Sequence, residues 1–520
     1  MNFRENPMKK KFTLLAAVLV LLSALPARDG DPWNAMLAKI STIFSIVENG
    51  YHADVDPEKM TFSTIRGLLD SLDPHSYFLE PDYFSRMRED YTGKYFGLGI
   101  QIQKQDDRLV VVSPIEGTPA WRMGIRPGDV ISHIEGEDTK PISSFDAMQK
   151  LRGEKGTSVS ITIVREGLDE PLELTIVREE IPLHSVPYAF MLDGVTGYVF
   201  IRNFAENTTR ELEEKLLALT AQGMTRLVLD LRGNGGGPLA QSIEVSDEFL
   251  PKGKLIVSMR GRNPNYDKDF HAFRDGQYET LPLVILINSG TASASEIVSG
   301  AVMDHDRGLV VGTDSFGKGL VQTVFPLAPN IAVALTVAKY LTPSGRSIQR
   351  DFSIIEDYAR LKQAPEEERE VMYTSRGRKV LGQGGITPDH MVTSNIQVLT
   401  WRMLLGGSFF SYARKFADRQ TPLSRNLAFP DPPSVSPSTP SVVTQAVIEE
   451  FKGYLETSGF EFDLDAFAEA VPEIRREIER EIISALWGLE EGNRIHQLSD
   501  PVVKKALEVM PEAIRFVTEF

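Results

Sequence analysis

The turn between an apolar run and a helical pattern, in the middle of the chain, is the feature that most constrains the fold. The run LPLVILI at residues 281–287 has the length and composition of a buried strand. Gly290 interrupts it, and an amphipathic pattern opens at Ser293. A strand followed by a turn and a helix is the unit of an α/β fold, and it presents the Ser293 hydroxyl at the turn. A hydroxyl in this place can be an exposed nucleophile.

A lysine further along the chain, Lys318, is a candidate base for this serine. Serine is weak at its own pKa and needs a base, and Gly317 and Gly319 leave room for close approach. An ammonium cannot accept a proton, so the lysine has to be neutral. Moving a lysine pKa from about 10.4 to about 7 takes roughly 4 to 5 kcal/mol. The pairing predicts a Ser-Lys hydrolase, although most serines near a Gly-Lys-Gly loop are structural or solvent-facing.

The two segments, TASASEI and SFGKGLVQ, resemble the catalytic signature of the carboxyl-terminal processing (tail-specific) proteases. Further motifs of that family occur over roughly residues 70–395. They are LDPHSYFL, FGLGIQI, GTPAWRMGIRPGDVI, DLRGNGGG, YLTPSGRSI and GITPD. An ordered set of motifs is far more specific than one serine box. The resemblance implies a serine-type endopeptidase that needs no cofactor.

The family match also implies roles for individual residues. Ser293 corresponds to the nucleophile, Lys318 to the general base, and Gln322 to the residue that orients the lysine. The oxyanion donors correspond to the backbone N–H of Ala294 and of a glycine in the DLRGNGGG turn. Gly237 is the best alignment for this glycine, and Gly236 is the alternative.

Two details around these motifs bear on how the turns are supported. The DLRGNGGG segment is either a tight turn after a buried strand or a run of N–H groups aimed at the oxyanion, and the second interpretation is favoured. Asp230 and Arg232 are expected to brace this turn and not to react. Thr313-Asp314 stands before SFGKG where the family commonly has a glutamate, so the local support of the lysine turn stays open.

A series of short strand patterns between residues 95 and 180 resembles a PDZ domain. In it, Gly97, Leu98, Gly99 and Ile100 form the loop whose backbone amides are expected to capture a terminal carboxylate. An incoming peptide would pair with the next strand, beside a helix at residues 145–151. Arg152 follows that helix directly, and it is either a solvated turn arginine or a regulatory contact with a neighbouring domain.

The N-terminus has the features of an export signal. Lys9-Lys10-Lys11 precedes an apolar stretch at residues 12–27. The stretch is short for a bilayer span, which needs about 20 residues. Residues 1–27 are therefore predicted to be a signal peptide, with an uncleaved membrane anchor as the alternative. Either form is expected to place the protein outside the cytoplasm, in the periplasm or cell envelope, and the uncleaved form would be anchored in the inner membrane.

Composition excludes some classes of partner and leaves others open. The formal net charge is −16, and such a surface repels phosphate backbones, so nucleic acid is not an expected partner. The absence of cysteine fits either a reducing compartment or an exported protein without disulfides. No phosphate loop, nucleotide fingerprint or metal-type cluster is present in the sequence. The expected partners are proteins or peptides with free, apolar C-termini.

These patterns predict a multidomain α+β protein. The expected order is a helical N-terminal region at 28–94, a β-rich PDZ domain at 95–180, an α/β protease core at 181–395, a connecting segment at 396–441, and a helical C-terminal region at 442–520. The connecting segment ends in a Pro/Ser-rich linker. Apolar faces in the terminal regions indicate packing on the chain's own core or on a second subunit, so a homodimer is a candidate.

Two rival functions remain open at this point. One is a catalytically silent PDZ scaffold in the cell envelope, against which the intact Ser293, Lys318 and Gln322 argue. The other is a Ser-His-Asp esterase that uses His305. The Asp304-His305-Asp306 cluster is expected to be a solvated helix end, because no second histidine stands at ligand spacing.

Overall fold

The computed structural model describes residues 32–105, 107–393, 396–427 and 441–518. It divides into two compact units. One contains the chain up to Arg86 together with Val321–Val337, and the other contains Met87–Leu320 together with Ala338–Phe520. The predicted signal segment and most of the Pro/Ser-rich linker lie outside the described residues. Within the described ranges, no helix has both the length and the apolar character needed to cross a membrane.

The first unit begins with the two predicted helices. Helix α1 covers Pro32–Gly50 and helix α2 covers Pro57–Asp70. Asp56 caps α2, because its carboxylate accepts hydrogen bonds from the first amides of the helix. Strand β1, Tyr77–Leu79, pairs antiparallel with residues 332–334. Helix α3, Pro81–Thr92, follows.

The β-rich domain is an antiparallel sheet with two short helices. Its elements are β2 Lys94–Gly97, β3 Ile100–Gln105, β4 Arg108–Pro114, α4 Pro119–Arg122, β5 Val130–Ile134, β6 Glu137–Asp138, α5 Ser144–Leu151, β7 Ser158–Val164, β8 Leu172–Val177 and β9 Glu179–Pro182. The sheet order is β3-β4-β5-β7-β8, with β6 paired to β5. Strand β3 is therefore an edge, and α5 packs against it. Strands β2 and β9 pair with each other where the chain enters and leaves the domain.

The central α/β domain is built on a mainly parallel sheet with crossover helices, as the alternating pattern predicts. Its elements are β10 Tyr188–Met191, β11 Thr196–Phe200, α6 Thr208–Ala221, β12 Arg226–Asp230, α7 Leu239–Asp247, β13 Leu255–Gly261, β14 Lys268–His271, β15 Leu283–Ile287, α8 Ala294–Asp304 and β16 Leu309–Gly312. The order β10-β11-β12-β15-β16 is extended by a short strand at His390–Met391. All five residues of β15 are buried, so this strand is the centre of the core.

Two long strands follow, and each has residues in both units. These are β17 Leu320–Ala328 and β18 Ile331–Leu341. The end of β18 pairs with β13. After it come α9 Ile355–Ala359, β19 Val371–Tyr373, β20 Lys379–Leu381 and β21 His390–Met391. The sequence patterns predicted β18 but neither β17 nor the β19–β20 hairpin.

The C-terminal region is helical, as predicted. It consists of α10 Val398–Leu405, α11 Ser408–Ala417, α12 Gln445–Thr457, α13 Leu464–Trp487, α14 Leu489–Ser499 and α15 Pro501–Thr518. Helices α10 to α13 share one apolar cluster, which includes Phe409, Tyr412 and Phe451. Helix α15 packs on the core sheet through Val502, Val503, Ala506 and Met510. These apolar faces therefore pack within the chain.

Candidate active site

The serine turn follows the buried strand β15 and adopts a strained backbone. Ser293 has φ 57° and ψ −114°, a region that costs a non-glycine residue on the order of 1–3 kcal/mol. The preceding turn is fixed to the neighbouring strand, because the Thr291 hydroxyl donates to the Leu231 carbonyl at 2.8 Å. Ser293 itself is partly exposed, whereas Ala294 is buried. The strain therefore presents one hydroxyl-bearing residue at the end of a rigid strand.

A buried glutamate, Glu296, holds the serine turn and the lysine turn together. Its Oε2 accepts from the Ser293 amide at 2.8 Å and from the Lys318 amide at 3.0 Å. Its Oε1 accepts from the Ser315 hydroxyl at 2.5 Å and from the Gly317 amide at 2.7 Å. Burial raises the pKa of Glu296 above its usual range, and the four donors oppose that shift. One carboxylate thus fixes the backbone beside both predicted catalytic residues.

Tyr340 makes a second connection between the same two turns. Its hydroxyl donates to the Lys318 carbonyl at 2.5 Å and lies 3.3 Å from the Ser293 carbonyl oxygen. Burial raises the pKa of Tyr340 well above its usual value, so the hydroxyl stays a donor. Sequence reasoning missed both Tyr340 and Glu296. For Glu296 a signal existed, because a glutamate three residues after a serine at a helix start is capping-box spacing.

The glycine turn after β12 lies directly against the serine. A Cβ on Gly236 would lie 2.8 Å from the Ser293 Cβ and 2.9 Å from the Ala294 nitrogen. The Gly236 amide already donates to Asn234 Oδ1 at 2.9 Å. Because that amide is already engaged, the amide of Gly237 is favoured of the two glycine candidates for an oxyanion. Ala294 is the first residue of α8, where an amide has no acceptor in its own helix.

Asp230 and Arg232 connect this glycine turn to the C-terminal helices. Arg232 Nη2 donates to Asp230 Oδ2 at 2.6 Å, and Asp230 also accepts from the Tyr198 hydroxyl at 2.6 Å. Arg232 Nη1 pairs with Asp500 at 3.0 Å, and Nη2 reaches Gln497 Oε1 at 3.1 Å. Arg232 is partly buried and Asp230 is fully buried, and their paired charges brace the turn.

Gln322 belongs to the other compact unit, on strand β17. Its Nε2 donates to the Thr336 hydroxyl at 3.3 Å. That hydroxyl donates in turn to Asp73 Oδ1 at 3.1 Å, and Asp73 also accepts from the Ser76 hydroxyl at 2.8 Å. Asp73 and Ser76 come from the LDPHSYFL motif. The motif therefore supports the strand that carries Gln322.

The predicted carboxylate loop of the PDZ domain is held by its carbonyl groups. The Leu98 carbonyl accepts from the Ala120 amide at 3.0 Å, and the Gly99 carbonyl accepts from the Ile115 amide at 2.8 Å. Leu98 is buried and Gly99 has φ 76°, a conformation that suits glycine. Ile100 then begins the edge strand β3.

Arg152 ends helix α5 and is not a solvated turn residue. It forms an ion pair with Glu89 of α3, and its guanidinium lies 4.3 Å from the centre of the Tyr95 ring. A Cβ on Gly97 would lie 2.9 Å from that ring and 3.6 Å from Arg152 Cγ. The first residue of the carboxylate loop therefore lies beside the same arginine.

The Asp304-His305-Asp306 cluster is structural, and its description as a solvated helix end is wrong. Asp304 and Asp306 are both about 1% exposed. They pair with Arg346 at 2.8 Å and Arg378 at 2.5 Å, respectively. The His305 ring lies 2.6 Å from the Leu255 carbonyl oxygen, and burial lowers its pKa. In the part of the chain that the structure describes, no group of three or more acidic, histidine or cysteine residues could hold a metal ion.

Comparison with known proteins connects this arrangement to one family. A model of peptidase family S41 matches residues 195–359, and a PDZ-domain model matches residues 110–165. A carboxy-terminal-processing protease of Bartonella bacilliformis is 40% identical over 340 residues, which is 65% of this chain and 78% of that protein. The carboxy-terminal processing protease CtpA of Bacillus subtilis is 33% identical over 329 residues, 63% of this chain and 70% of that protein.

Among solved structures, the photosystem II D1 C-terminal processing protease is 27% identical, with 76% of this chain and 96% of that chain covered and a TM-score of 0.38. The length and identity of the sequence matches settle the class. This chain belongs to peptidase family S41, and within it to the carboxy-terminal processing proteases that carry a PDZ domain.

Proposed function

We propose that this protein is an exported serine endopeptidase that binds the C-terminal tail of a protein substrate on its PDZ domain and cleaves with a Ser-Lys dyad. One observation carries the proposal. The backbones at Ser293 and Lys318 are bonded to the same Glu296 carboxylate, at 2.8 and 3.0 Å. A nucleophile and its base need a fixed mutual geometry, and a shared buried ligand supplies it.

In this mechanism the Ser293 hydroxyl attacks the scissile carbonyl while its proton passes to a neutral Lys318. The N–H groups of Ala294 and Gly237 stabilise the oxyanion of the tetrahedral intermediate. The protonated lysine gives its proton to the leaving amine, and a water molecule then hydrolyses the acyl-enzyme. Gln322 orients the lysine, a role that rests on the family motif.

The PDZ domain supplies the recognition step. The amides of residues 97–100 bind the terminal carboxylate, and the tail adds as a strand to the edge of β3. Ile100 and Ile102 pack against the apolar core of the domain, which favours apolar residues at the end of the tail.

Arg152 is the regulatory candidate. Its contacts begin a series of residue contacts that leads from the peptide loop toward the glycine turn and could transmit the effect of peptide binding. Arg152 lies beside Gly97 and pairs with Glu89 on α3. At the end of α3, the Tyr91 carbonyl accepts from the Glu206 amide at 2.8 Å. The loop that carries Glu206 reaches the oxyanion region.

Two residues earlier in that loop, the Phe204 amide donates to the Gly236 carbonyl at 3.0 Å. Tail binding would thus favour the active arrangement of the turn, provided that the tail binds that arrangement better.

Arg152→Ala should lower the rate of protein cleavage several-fold. Its affinity for a terminal peptide, measured in a direct binding assay, should equal that of wild type. The exposed control Lys155→Ala should change neither quantity. If Arg152→Ala cleaves proteins at the wild-type rate, the PDZ domain only binds the substrate and does not activate the core through Arg152.

Export and self-association complete the proposal. The basic and apolar N-terminus supports passage into the periplasm or cell envelope, with retention as an inner-membrane anchor as the alternative. Helix α1 has no buried residue, and it exposes Ile43 and Ile46. An apolar helix of this length gains stability from a partner, so we assign it to a homodimer contact. Light scattering of full-length protein and of a variant that lacks residues 32–50 tests this.

Cleavage of an unstructured protein with a free C-terminus tests the function itself. Wild type should produce fragments cut near the C-terminal end, identified by mass spectrometry, and folded Ser293→Ala should produce none. A folded wild type that neither cleaves nor reacts with a serine-directed probe would favour the silent PDZ scaffold. Loss of activity in His305→Ala with full activity in Lys318→Ala would favour a Ser-His-Asp esterase.

A further inference from the structure

The chain after β18 contacts the lysine turn before it returns to the core sheet. This segment, residues 349–383, follows the YLTPSGRSI motif and precedes GITPD. The match to the S41 family model ends inside it, at residue 359. It contains helix α9 and the β19–β20 hairpin. The residues of the segment that contact the lysine turn, Gln349, Arg350 and Tyr358, lie within that match but outside the sequence motifs named above.

Two consecutive residues of the segment bind the glycines on either side of Lys318. The Arg350 amide donates to the Gly317 carbonyl at 2.9 Å. The Gln349 side-chain oxygen accepts from the Gly319 amide at 2.9 Å, and its Nε2 donates to the Arg350 carbonyl at 2.8 Å. The backbone on both sides of the lysine is thus tied to one short stretch.

The Arg350 side chain adds a third contact from a buried position. Only 3% of Arg350 is exposed. Its Nη2 donates to the Ser315 carbonyl at 3.0 Å. A Cβ on Gly317, where φ is 88°, would lie 3.0 Å from Arg350 Cβ. The arginine therefore fills the space beside the turn as well as bonding to it.

Tyr358 of helix α9 packs against Phe316, the residue that precedes the Gly-Lys-Gly turn. Its ring meets the Phe316 ring edge to face, with 5.7 Å between centroids and 88° between planes. Tyr358 is buried, whereas Phe316 is partly exposed. Edge-to-face packing is one of the favoured arrangements of two aromatic rings, so this contact stabilises the position of Phe316.

A turn of sequence Phe-Gly-Lys-Gly has little rigidity of its own, because glycine restricts neither φ nor ψ. The lysine side chain is long, so a small rotation of the turn displaces its amine further than it displaces the backbone. A misplacement of 1 Å can cost about 10²-fold in rate. A catalytic lysine on such a turn needs an external support.

We propose that Arg350 and Tyr358 are positioning residues for Lys318, and that the segment around them is a clamp without which the dyad is not aligned. The proposal rests on the proposed function, in which Lys318 is the base. It predicts that loosening the clamp slows the chemical step and leaves substrate binding intact.

The test compares Arg350→Ala, Tyr358→Ala, Arg350→Lys and Tyr358→Phe in the full chain. The two alanine variants should lose about 10- to 100-fold in kcat, with KM within about threefold of wild type. Arg350→Lys keeps one donor for Ser315, and Tyr358→Phe keeps the ring on Phe316. Both should therefore recover most of the lost kcat. Arg360→Ala, exposed in the same segment, is the matched control and should equal wild type.

Thermal unfolding of each variant shows whether the protein is folded at the assay temperature. Folded alanine variants with wild-type kcat would overturn the clamp. A fall in kcat that neither conservative variant recovers, or an equal rise in KM, would also overturn it. If Lys318→Ala keeps wild-type turnover, the proposed dyad is wrong, whereas an inactive Lys318→Ala beside fully active clamp variants rejects the clamp alone.

Discussion

The proposed catalytic turns and the proposed peptide-binding loop are both built on glycines, but they are held in different ways. Around Ser293 and Lys318 the supporting groups are buried and polar or charged, with Glu296 accepting four hydrogen bonds. Around Gly97 and Gly99 the support consists of backbone bonds to neighbouring turns and an apolar core. Bond-making chemistry needs fixed directions, whereas strand addition tolerates small adjustments.

This difference predicts where substitutions act. A buried carboxylate that accepts several hydrogen bonds can keep all of them in one geometry only. If one of these hydrogen bonds is lost, a buried polar group is left without a partner, and this costs stability. Changes at the catalytic turns should therefore reduce kcat. Changes that affect the peptide loop should act mainly through KM, since the proposed role of the loop is to bind the tail of the substrate and not the scissile bond.

The largest effect is expected at the dyad. Ser293→Ala and Lys318→Arg should each lose at least about 10³-fold in kcat, because the two residues act as a unit and a guanidinium stays protonated. Unfolding temperatures should stay close to that of wild type. Proteolysis of an unstructured substrate, followed by gel or mass spectrometry, measures this. Retained turnover in Lys318→Arg would contradict the Ser-Lys assignment.

Glu296→Gln should come next, with a loss of about 10²-fold in kcat. The amide NH₂ of glutamine cannot accept from the donors that one carboxylate oxygen now serves, so one side of the shared support fails. Buried Glu296 is also a stability element, and the variant should unfold several degrees earlier. Steady-state kinetics and thermal unfolding check both effects. Glu244→Gln, on the neighbouring helix α7, is the control. Equal kinetics for the two variants would show that Glu296 does not support the geometry of the dyad.

A smaller effect, confined to recognition, is expected when the substrate's terminal carboxylate is amidated. Amidation removes the charge that the amides of residues 97–100 are proposed to bind, so KM should rise about tenfold. The value of kcat should change little. Matched free-acid and amide peptides, assayed side by side, separate the two parameters. Equal KM values would show that this loop does not read the carboxylate.

The smallest effect concerns pH and lies in neither region. Burial raises the pKa of Glu248 to about 7, with Glu213 adding to the shift and Arg274 opposing it. The folded state then holds a proton that the unfolded state releases near pH 4.5, so stability should fall as pH rises from about 4.5 to 7. In Glu248→Gln, the difference in the free energy of unfolding between low and high pH should be smaller than in wild type by roughly 1 to 3 kcal/mol. Denaturant unfolding at pH 5 and pH 8 measures it, with the exposed Glu214→Gln as control. An unchanged slope would reject Glu248 as the cause.

Much of the fold follows from local patterns. The fully apolar run that became β15 and the alternating run that became β18 each specify a strand by themselves. The serine and lysine turns could be located because their motifs are contiguous in sequence. Conformationally demanding positions, such as Ser293 with its positive φ, coincide with those motifs.

The supports of the site could not be read in the same way. Glu296 was visible as a helix-capping residue, but its bonds to Ser315, Gly317 and Lys318 depend on tertiary distance. Tyr340 lies on a strand whose pattern predicts burial and says nothing about where its hydroxyl points. The aspartates on either side of His305 looked solvated because they are charged, and they are buried because arginines distant in sequence pair with them.

The most direct test of the central claim is the reaction of the folded protein with a serine-directed phosphonate, followed by peptide mapping. The account predicts one modified residue, Ser293, and a rate of modification at least about 10³-fold lower in Lys318→Arg than in wild type. Modification of a different serine, or equal rates in the two proteins, would contradict a Ser293–Lys318 dyad.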